Sequence, residues 1–522
     1  MRNAQAKGQG RKVTIISSGG IIFIAFVSGI LETRKKFITS FRLSYCFSFL
    51  VSYFYEELFM SIDTILSSIN SIVWGPPLLL LVSGVGIYFT LKLKLLQFFH
   101  LPRAFSYMFK SEKGDNQSGD ISALGALATA LAATIGTGNI VGVATAIQAG
   151  GPGAIFWMWL IALFGMATKY AECLLAVKFR GKDKDGYIAG GPMYYIEMGM
   201  GQKWKWLAKL FAIFGVMVAL FGIGTFPQVN GITTSLQDTF NIPISITAVI
   251  LTLTVAAIML GGVKRISKIS MVIVPFMAIS YVGASLLILV LHADKVPDTI
   301  VFIVKAAFNP EAALGGVIGF TVLQAIQAGV ARGIFSNESG LGSAPIAAAA
   351  AHTKEPVRQG LISMTGTFLD TIIVCSMTGL VIVLTGVWTG PTQGAVLTNS
   401  AFSEGLASSI GAMIVTISLV FFAFTTILGW CYYGERCLVY LTGGRTKGIK
   451  FYRLIFIMLI AVAPFIKLNT IWTMADIVNG LMAFPNLVAL IGLRHVVIEE
   501  TRSYFERLKK GGGVVMIDFK YL

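Results

Sequence analysis

DISALGALATALAATIGTGNIVGVATAIQAGGPGAIFWMWLIALFG, residues 120–165, is apolar and long enough to cross a membrane, yet its centre, Thr134 to Gly142, is TIGTGNIVG, a run of poor helix formers. In hydrocarbon each unpaired backbone N–H or C=O costs several kcal/mol, so an unwound turn survives only where protein buries it or a cavity borders it. Two readings follow. Gly-rich spans pack helices closely, as GxxxG faces do. An opened helix at mid-depth instead offers amides to a carboxylate and carbonyls to a cation, as broken helices do in transporters.

The surrounding composition supports a membrane setting. The chain has 522 residues, 55% hydrophobic and only 13% charged, which places it in the polytopic membrane class. A formal charge of +16 would in a soluble chain point to nucleic acid or an acidic partner; here the basic residues fall in short gaps between apolar spans, so the charge is topological. Cys46, Cys173, Cys375, Cys431 and Cys437 stand singly in or beside apolar runs, without metal-ligand spacing, and read as small buried hydrophobes.

From Met60 onward eleven apolar segments are long enough to span: about 66–91, 121–148, 153–177, 206–236, 243–261, 269–291, 313–349, 359–387, 404–433, 449–466 and 470–493. Alternating sides from a cytoplasmic gap at 92–119 puts 28 Lys and Arg on the cytoplasmic side against only Lys295, Lys305 and Lys467 on the other. A missed or invented span would destroy that bias, so the count of eleven holds and the carboxyl terminus is cytoplasmic. Residues 1–59 carry two apolar runs, about 13–31 and 37–59, split by Glu32, Arg34, Lys35 and Lys36. The first has a signal-like layout without a convincing cleavage site, so 1–59 reads as an accessory or mis-assigned extension, with one or two extra spans as the alternative.

Segment 313–349 is the other outlier, with GVARGIFSNESGLGSAP from Gly329 to Pro345. Setting aside the first span, each interrupted segment opens a set of five, the pattern of an inverted-repeat transporter with its site at the repeat interface. The expected organisation is a peripheral helix and loop (60–119), a first repeat (120–292), a second repeat (293–495) and a basic cytoplasmic tail (496–522). The fold class is all-α and polytopic.

TIGTGNIVG (134–142), GGPGAIFWMWLIALFG (150–165), GGPMYYIEMGMG (190–201), GIFSNESGLGSAPIAAAAA (333–351) and FAFTTILGWCYYGE (422–435) together closely resemble the alanine or glycine:cation symporter family, also called sodium:alanine symporters. The resemblance covers about 60–495 and leaves 1–59 outside. It implies a LeuT-type five-plus-five inverted-repeat core with an extra amino-terminal helix, and sodium-coupled uptake of small neutral amino acids across a bacterial-type inner membrane, with no cofactor beyond the coupling ion.

A zwitterionic amino acid needs amides for its carboxylate, acceptors for its ammonium and a wall that measures its side chain. The backbone around Thr134, Thr137 and Gly138 can supply the amides, and Gln228, in FGIGTFPQVNG, a polar contact; a helix–helix hydrogen bond is its other use. Phe335 and Trp430 are the candidate wall, with simple packing as the alternative. By resemblance to the cation site of this fold, sodium ligands would be the carbonyls of Ala132, Ile135 and Phe422 and the hydroxyls of Thr425 and Thr426, although Thr also bonds back to its own helix.

Ionisable residues at membrane depth are expensive and call for a role. Arg332 and Glu338 flank the second break and are expected to pair as a gate or strut. Asp370 and Asp476 can line a water-filled route or carry a proton, and Lys169 and Glu172, three apart, read as a structural pair. Proton coupling to another zwitterion on the same scaffold is the alternative function. No HExxH, no Ser paired with a spaced His and no GxxxxGK[ST] loop occurs, so neither an intramembrane enzyme nor an ATP-driven pump is indicated.

Overall fold

The computed structural model describes residues 64–110, 119–259, 262–309, 321–445 and 448–510, leaving out the side chains of 262–264. The extension 1–59 lies outside the described residues, as do 313–320 of the second interrupted segment. In chain order the spans are α1 (Thr64–Lys92), the pair α2 (Ala123–Thr134) and α3 (Gly138–Gly150), α4 (Ala154–Lys178), the pair α5 (Lys205–Phe221) and α6 (Phe226–Phe240), α7 (Ile244–Met259), α8 (Gly262–Leu291), the pair α9 (Val322–Asn337) and α10 (Ala344–Ala348), α11 (Pro356–Thr385), α12 (Ile410–Leu441), α13 (Ile449–Val462) and α14 (Leu468–Gly492). Among the described residues, seven helices are long and apolar enough to cross a bilayer by themselves, and the pair α2–α3, bent by 50°, makes an eighth. The segments expected at 243–261, 313–349 and 449–466 fall on the shorter α7, the broken pair α9–α10 and α13. Shorter helices between spans include Leu101–Phe109, Pro192–Gly199 and Gly394–Gly405.

Local chemistry sets the ends of the broken helices. The Ser122 side chain caps α2 by accepting from the Gly125 N–H, and Thr321 with Gln324 forms a capping box at the start of α9. α2 stops at Ile135, whose ψ of 96° is extended, and the chain re-enters as a wide π-helical turn, Gly138–Gly142. A second π-helical turn, Phe368–Cys375, lies within α11 and packs against the first.

The second interruption is narrower than expected. α9 runs unbroken through Gly329 to Asn337, and the break is confined to Glu338–Ser343, where Glu338, Gly340 and Gly342 have φ of 57°, 91° and 81°. Gly329 and Gly333 serve packing instead: an added Cβ would lie 2.4 Å from the Ala154 carbonyl and 2.7 Å from Ile161 Cγ2 on α4. They are a GxxxG face that lets two backbones approach. The span expected at 206–236 is itself divided at Gly222–Thr225, and α12 begins at Ile410 rather than 404 because Gly394–Gly405 folds as a separate helix.

Gly329→Leu is expected to destabilise the protein by about 3 kcal/mol or more, because the new side chain meets backbone that cannot yield. Gly84→Ala, where an added Cβ meets nothing within 4 Å inside a helix, should raise stability by up to about 1 kcal/mol. Thermal melts of both variants in one detergent check this.

Candidate functional site

Opening a helix at mid-membrane leaves backbone groups that other protein groups must satisfy. At the first break the Gly136 N–H donates to Asn139 Oδ1 (2.9 Å) and the Thr137 N–H to Gln228 Oε1 (2.9 Å). Gln228 Nε2 donates to the Ile223 carbonyl (2.9 Å) in the break between α5 and α6, so one side chain stitches two interruptions together. Thr134 Oγ1 is turned back onto its own helix, to the Ala130 carbonyl. Thr137 Oγ1 is buried without a hydrogen-bond partner.

Five oxygens converge where α12 passes α2. Thr426 Oγ1 stands 3.1 Å from the Ala132 carbonyl, 3.3 Å from that of Ile135 and 3.0 Å from that of Phe422, and Thr425 Oγ1 is 3.0 Å from the same Phe422 oxygen. A hydroxyl has one proton to give, so Thr426 cannot satisfy three carbonyls at once. The donor set is all oxygen, neutral and drawn from two helices, which suits a hard monovalent cation. Gly136 separates this cluster from Gln228: a Cβ there would be 2.5 Å from Thr426 Oγ1 and 2.8 Å from Gln228 Oε1.

The two broken helices touch at Gly138, where a Cβ would lie 2.9 Å from Ser336 Cα and 3.1 Å from Phe335 Cδ1. Beside this contact the fully buried Asp370 carboxylate accepts from Asn139 Nδ2 (2.6 Å), Ser336 Oγ (2.8 Å) and Thr371 Oγ1 (2.7 Å). Two of its three donors come from the two broken helices, Ser336 from the last turn of α9 and Asn139 from the π-helical turn after the first break. Glu338 holds a left-handed backbone that costs a non-glycine residue roughly 1–2 kcal/mol. It is fixed by Trp430 Nε1 (2.9 Å) and Ser343 Oγ (2.6 Å), each donating to its carboxylate. Phe335 packs on Trp472 with ring centroids 4.7 Å apart and planes tilted by 42°.

Above and below the breaks lie two seams. On the side where α9 begins, Arg332 is ion-paired with Asp476 and lies over the Trp472 ring at 4.5 Å, at the edge of a cavity of about 280 Å³ that Asn70, Gln324 and Gln327 also line. At the opposite end Glu172 Oε1 accepts from the Gly340 N–H (3.0 Å) and Asn486 Nδ2 (2.6 Å), while Asn486 Oδ1 accepts from the Tyr195 hydroxyl. There too Arg180 donates to the carbonyls of Ala349 (2.8 Å), Ala351 (2.7 Å) and Thr353 (2.5 Å). Ile121 forms a parallel bridge with Ala351, and Asp120 accepts from the Ile188 N–H.

Two expected pairings do not form. Arg332 and Glu338 are six residues apart, about 240° around a helix, and so face different neighbours; Arg332 pairs with Asp476 and Glu338 with Trp430 and Ser343. Lys169 is in none of the described ion pairs, and its expected partner Glu172 turns Oε1 to the second break while its Oε2 is buried without a hydrogen-bond partner. Asp370 belongs to the contact between the breaks and Asp476 to the seam above it. Asn139, Ser336, Asn486, Tyr195, Arg180 and Asp120 were not singled out from sequence. Asn139 and Ser336 carried a signal, as polar side chains inside TIGTGNIVG and GVARGIFSNESGLGSAP.

Paired breaks joined by buried polar side chains, with seven or more membrane-spanning helices among the described residues, define a multi-pass membrane transporter of the LeuT type. The structure of MhsT in complex with L-phenylalanine shares this fold, with a TM-score of 0.50 at 13% identity over 75% of this chain and 99% of that one. The chain belongs to the sodium:alanine symporter family, whose model matches residues 59–517. It is 48% identical to the sodium/alanine symporter AgcS of Methanococcus maripaludis over 86% of this chain and 98% of that protein. It is 69% identical to an uncharacterized transporter of Haemophilus influenzae, over the same shares of the two chains.

Removing the Asp370 carboxylate strands donors on both broken helices, so Asp370→Ala should cost about 3 kcal/mol, and Asp370→Asn, which keeps one acceptor, less. Melting temperatures of the purified variants rank them, and equal values for wild type and Asp370→Ala would remove the link.

Proposed function

We propose that this protein is a sodium-coupled symporter that imports alanine or glycine by alternating access between repeats 120–292 and 293–495, with a cytoplasmic carboxyl terminus. The observation that carries this reading is the approach of Thr426 Oγ1 to three carbonyls that it cannot satisfy alone, one residue away from the amides of the first break. Sodium bound by Ala132, Ile135, Phe422, Thr425 and Thr426 would hold α2 to α12. The substrate carboxylate would take amides near Thr137 and Gly138, exchanging with or joining Gln228, and Phe335 and Trp430, both fully buried, would limit the side chain to a hydrogen or methyl.

Gly136 lies between the two sets of ligands, so ordering one set orders the other. Linkage requires each ligand to tighten the other by the same factor. A single sodium ion moving down the membrane potential releases about 2.3 kcal/mol per 100 mV before its concentration gradient is added, enough to accumulate a neutral zwitterion. Proton coupling is the second reading, and the buried Asp370 between the breaks favours it.

Proteoliposomes are expected to take up labelled alanine when given a sodium gradient and not when given a proton gradient alone; the reverse would transfer the coupling role to Asp370. Thr425→Val with Thr426→Val keeps the volume and removes both hydroxyls. Its sodium midpoint for alanine binding should rise at least tenfold, and an unchanged midpoint would place the ion elsewhere. Trp430→Ala should admit larger neutral amino acids, and Gln228→Ala should weaken alanine binding about tenfold or more, both read by competition against labelled alanine.

A further inference from the structure

A second large cavity among the described residues lies behind the first break. It is a groove of about 590 Å³ on the flank of the helix bundle, walled by α2, α8 and α11. Its lining is almost wholly apolar and includes Leu127, Leu131, Met271, Ala278, Gly283 and Ile373. Ile279 and Leu286, on its rim, are 73% and 46% exposed, so the groove opens sideways to the hydrocarbon. The size falls within the range of small-molecule sites, but no polar group converges on it as a soluble ligand would require.

Small residues keep the groove open. Pro275, Ala278 and Gly283 line it from α8, and a Cβ on Gly283 would meet nothing within 4 Å. A glycine inside a helix is unfavourable relative to alanine, and here no protein neighbour compensates for it. From Met271 to Leu286 the wall runs about 22 Å along the helix, more than one leaflet of a hydrocarbon core roughly 30 Å thick. One extended acyl chain matches that length.

Among the described residues, cations cluster at one end of the groove. Lys268 lies three residues before Met271 and so continues the groove stripe of α8 by one turn; Arg265 lies one turn further. Lys110 directly follows Phe109, which lines the same end with Met108. All three are exposed, and none takes part in a described ion pair. The basic bias of the cytoplasmic side explains why lysines occur at this level, but not why they continue the wall of an open acyl-sized groove. We propose that the groove is a specific site for an anionic phospholipid, with one acyl chain along Ala278 and Gly283 and the headgroup phosphate at Lys110, Arg265 and Lys268.

Its occupancy bears on the site above through one residue. Ile135 lines the groove, while its carbonyl lies 3.3 Å from Thr426 Oγ1. A chain packed there supports α2 from behind, at the point where the proposed cation is held. This consequence rests on the sodium reading; the lipid site does not.

The test uses the full chain in bacterial membranes containing both zwitterionic and anionic lipid. Gly283 is replaced by the photo-cross-linker p-benzoylphenylalanine, which the open space accommodates, and in a second protein Val272, 71% exposed and outside the groove, is replaced instead. After irradiation, intact-mass spectra should show position 283 carrying anionic phospholipid at several times its share of the membrane, and position 272 carrying lipid in bulk proportion. Adding Lys268→Ala and Arg265→Ala to the position 283 protein should return its adducts to bulk proportion without loss of folded yield. Equal lipid profiles at 283 and 272, an enrichment that survives both substitutions, or a cross-link from 283 to a peptide of residues 1–59 would each overturn the proposal. Sodium binding is not measured in this experiment, so its outcome leaves the transport reading to stand or fall separately.

Discussion

A backbone opened in the middle of a bilayer has no water to satisfy it, and everything unusual in this structure answers that constraint. Several of the buried polar side chains in the core are spent on the two breaks. Gln228 and Asn139 take the amides at the first, Glu172 and Asn486 hold Gly340 at the second, and Glu338 is pinned by Trp430 and Ser343. Most of these side chains come from a different span, so each break is held open by its neighbours. The opened turns are therefore a property of the assembled bundle, and the same bonds that satisfy them tie the spans to one another.

Asp370 extends this logic from one break to two. Its carboxylate takes donors from Asn139 and Ser336, on opposite helices that meet within van der Waals contact at Gly138. An ionised group buried this deeply is destabilising unless it is fully hydrogen-bonded, and here three donors meet that need. Rearrangement at one break therefore changes the partners of the other. That geometry gives a physical basis for two half-helices to move as a unit.

The seams above and below differ in kind. On one side, a single ion pair, Arg332–Asp476, with its aromatic stack borders a cavity, a contact that side-chain rotation can break. On the other, Arg180 caps three carbonyls beyond α10 while Ile121 bridges Ala351 through the backbone. Parting that seam requires the start of α2 and the chain after α10 to separate as segments. An alternating-access cycle on this scaffold would thus use a local contact at one mouth and a rigid-body motion at the other.

The polytopic all-α class and the first break were legible in the sequence, because length, apolarity, charge bias and poor helix formers act locally and add up along a chain. The oxygen cluster around Thr426 was reached only by resemblance, since adjacent threonines have the same local appearance whether they bind a cation or their own helix. Pairings were not legible: Arg332 with Asp476 and Glu338 with Trp430 join residues 144 and 92 positions apart. The glycines show the limit most sharply. Gly329 and Gly340 sit in one run of similar residues, yet Gly329 packs against Ala154 and Gly340 takes a left-handed backbone. Composition determined that a helix in this run would be weak, while the close approach of α4 decided which glycines remain helical, because only a neighbouring backbone can reward the missing Cβ.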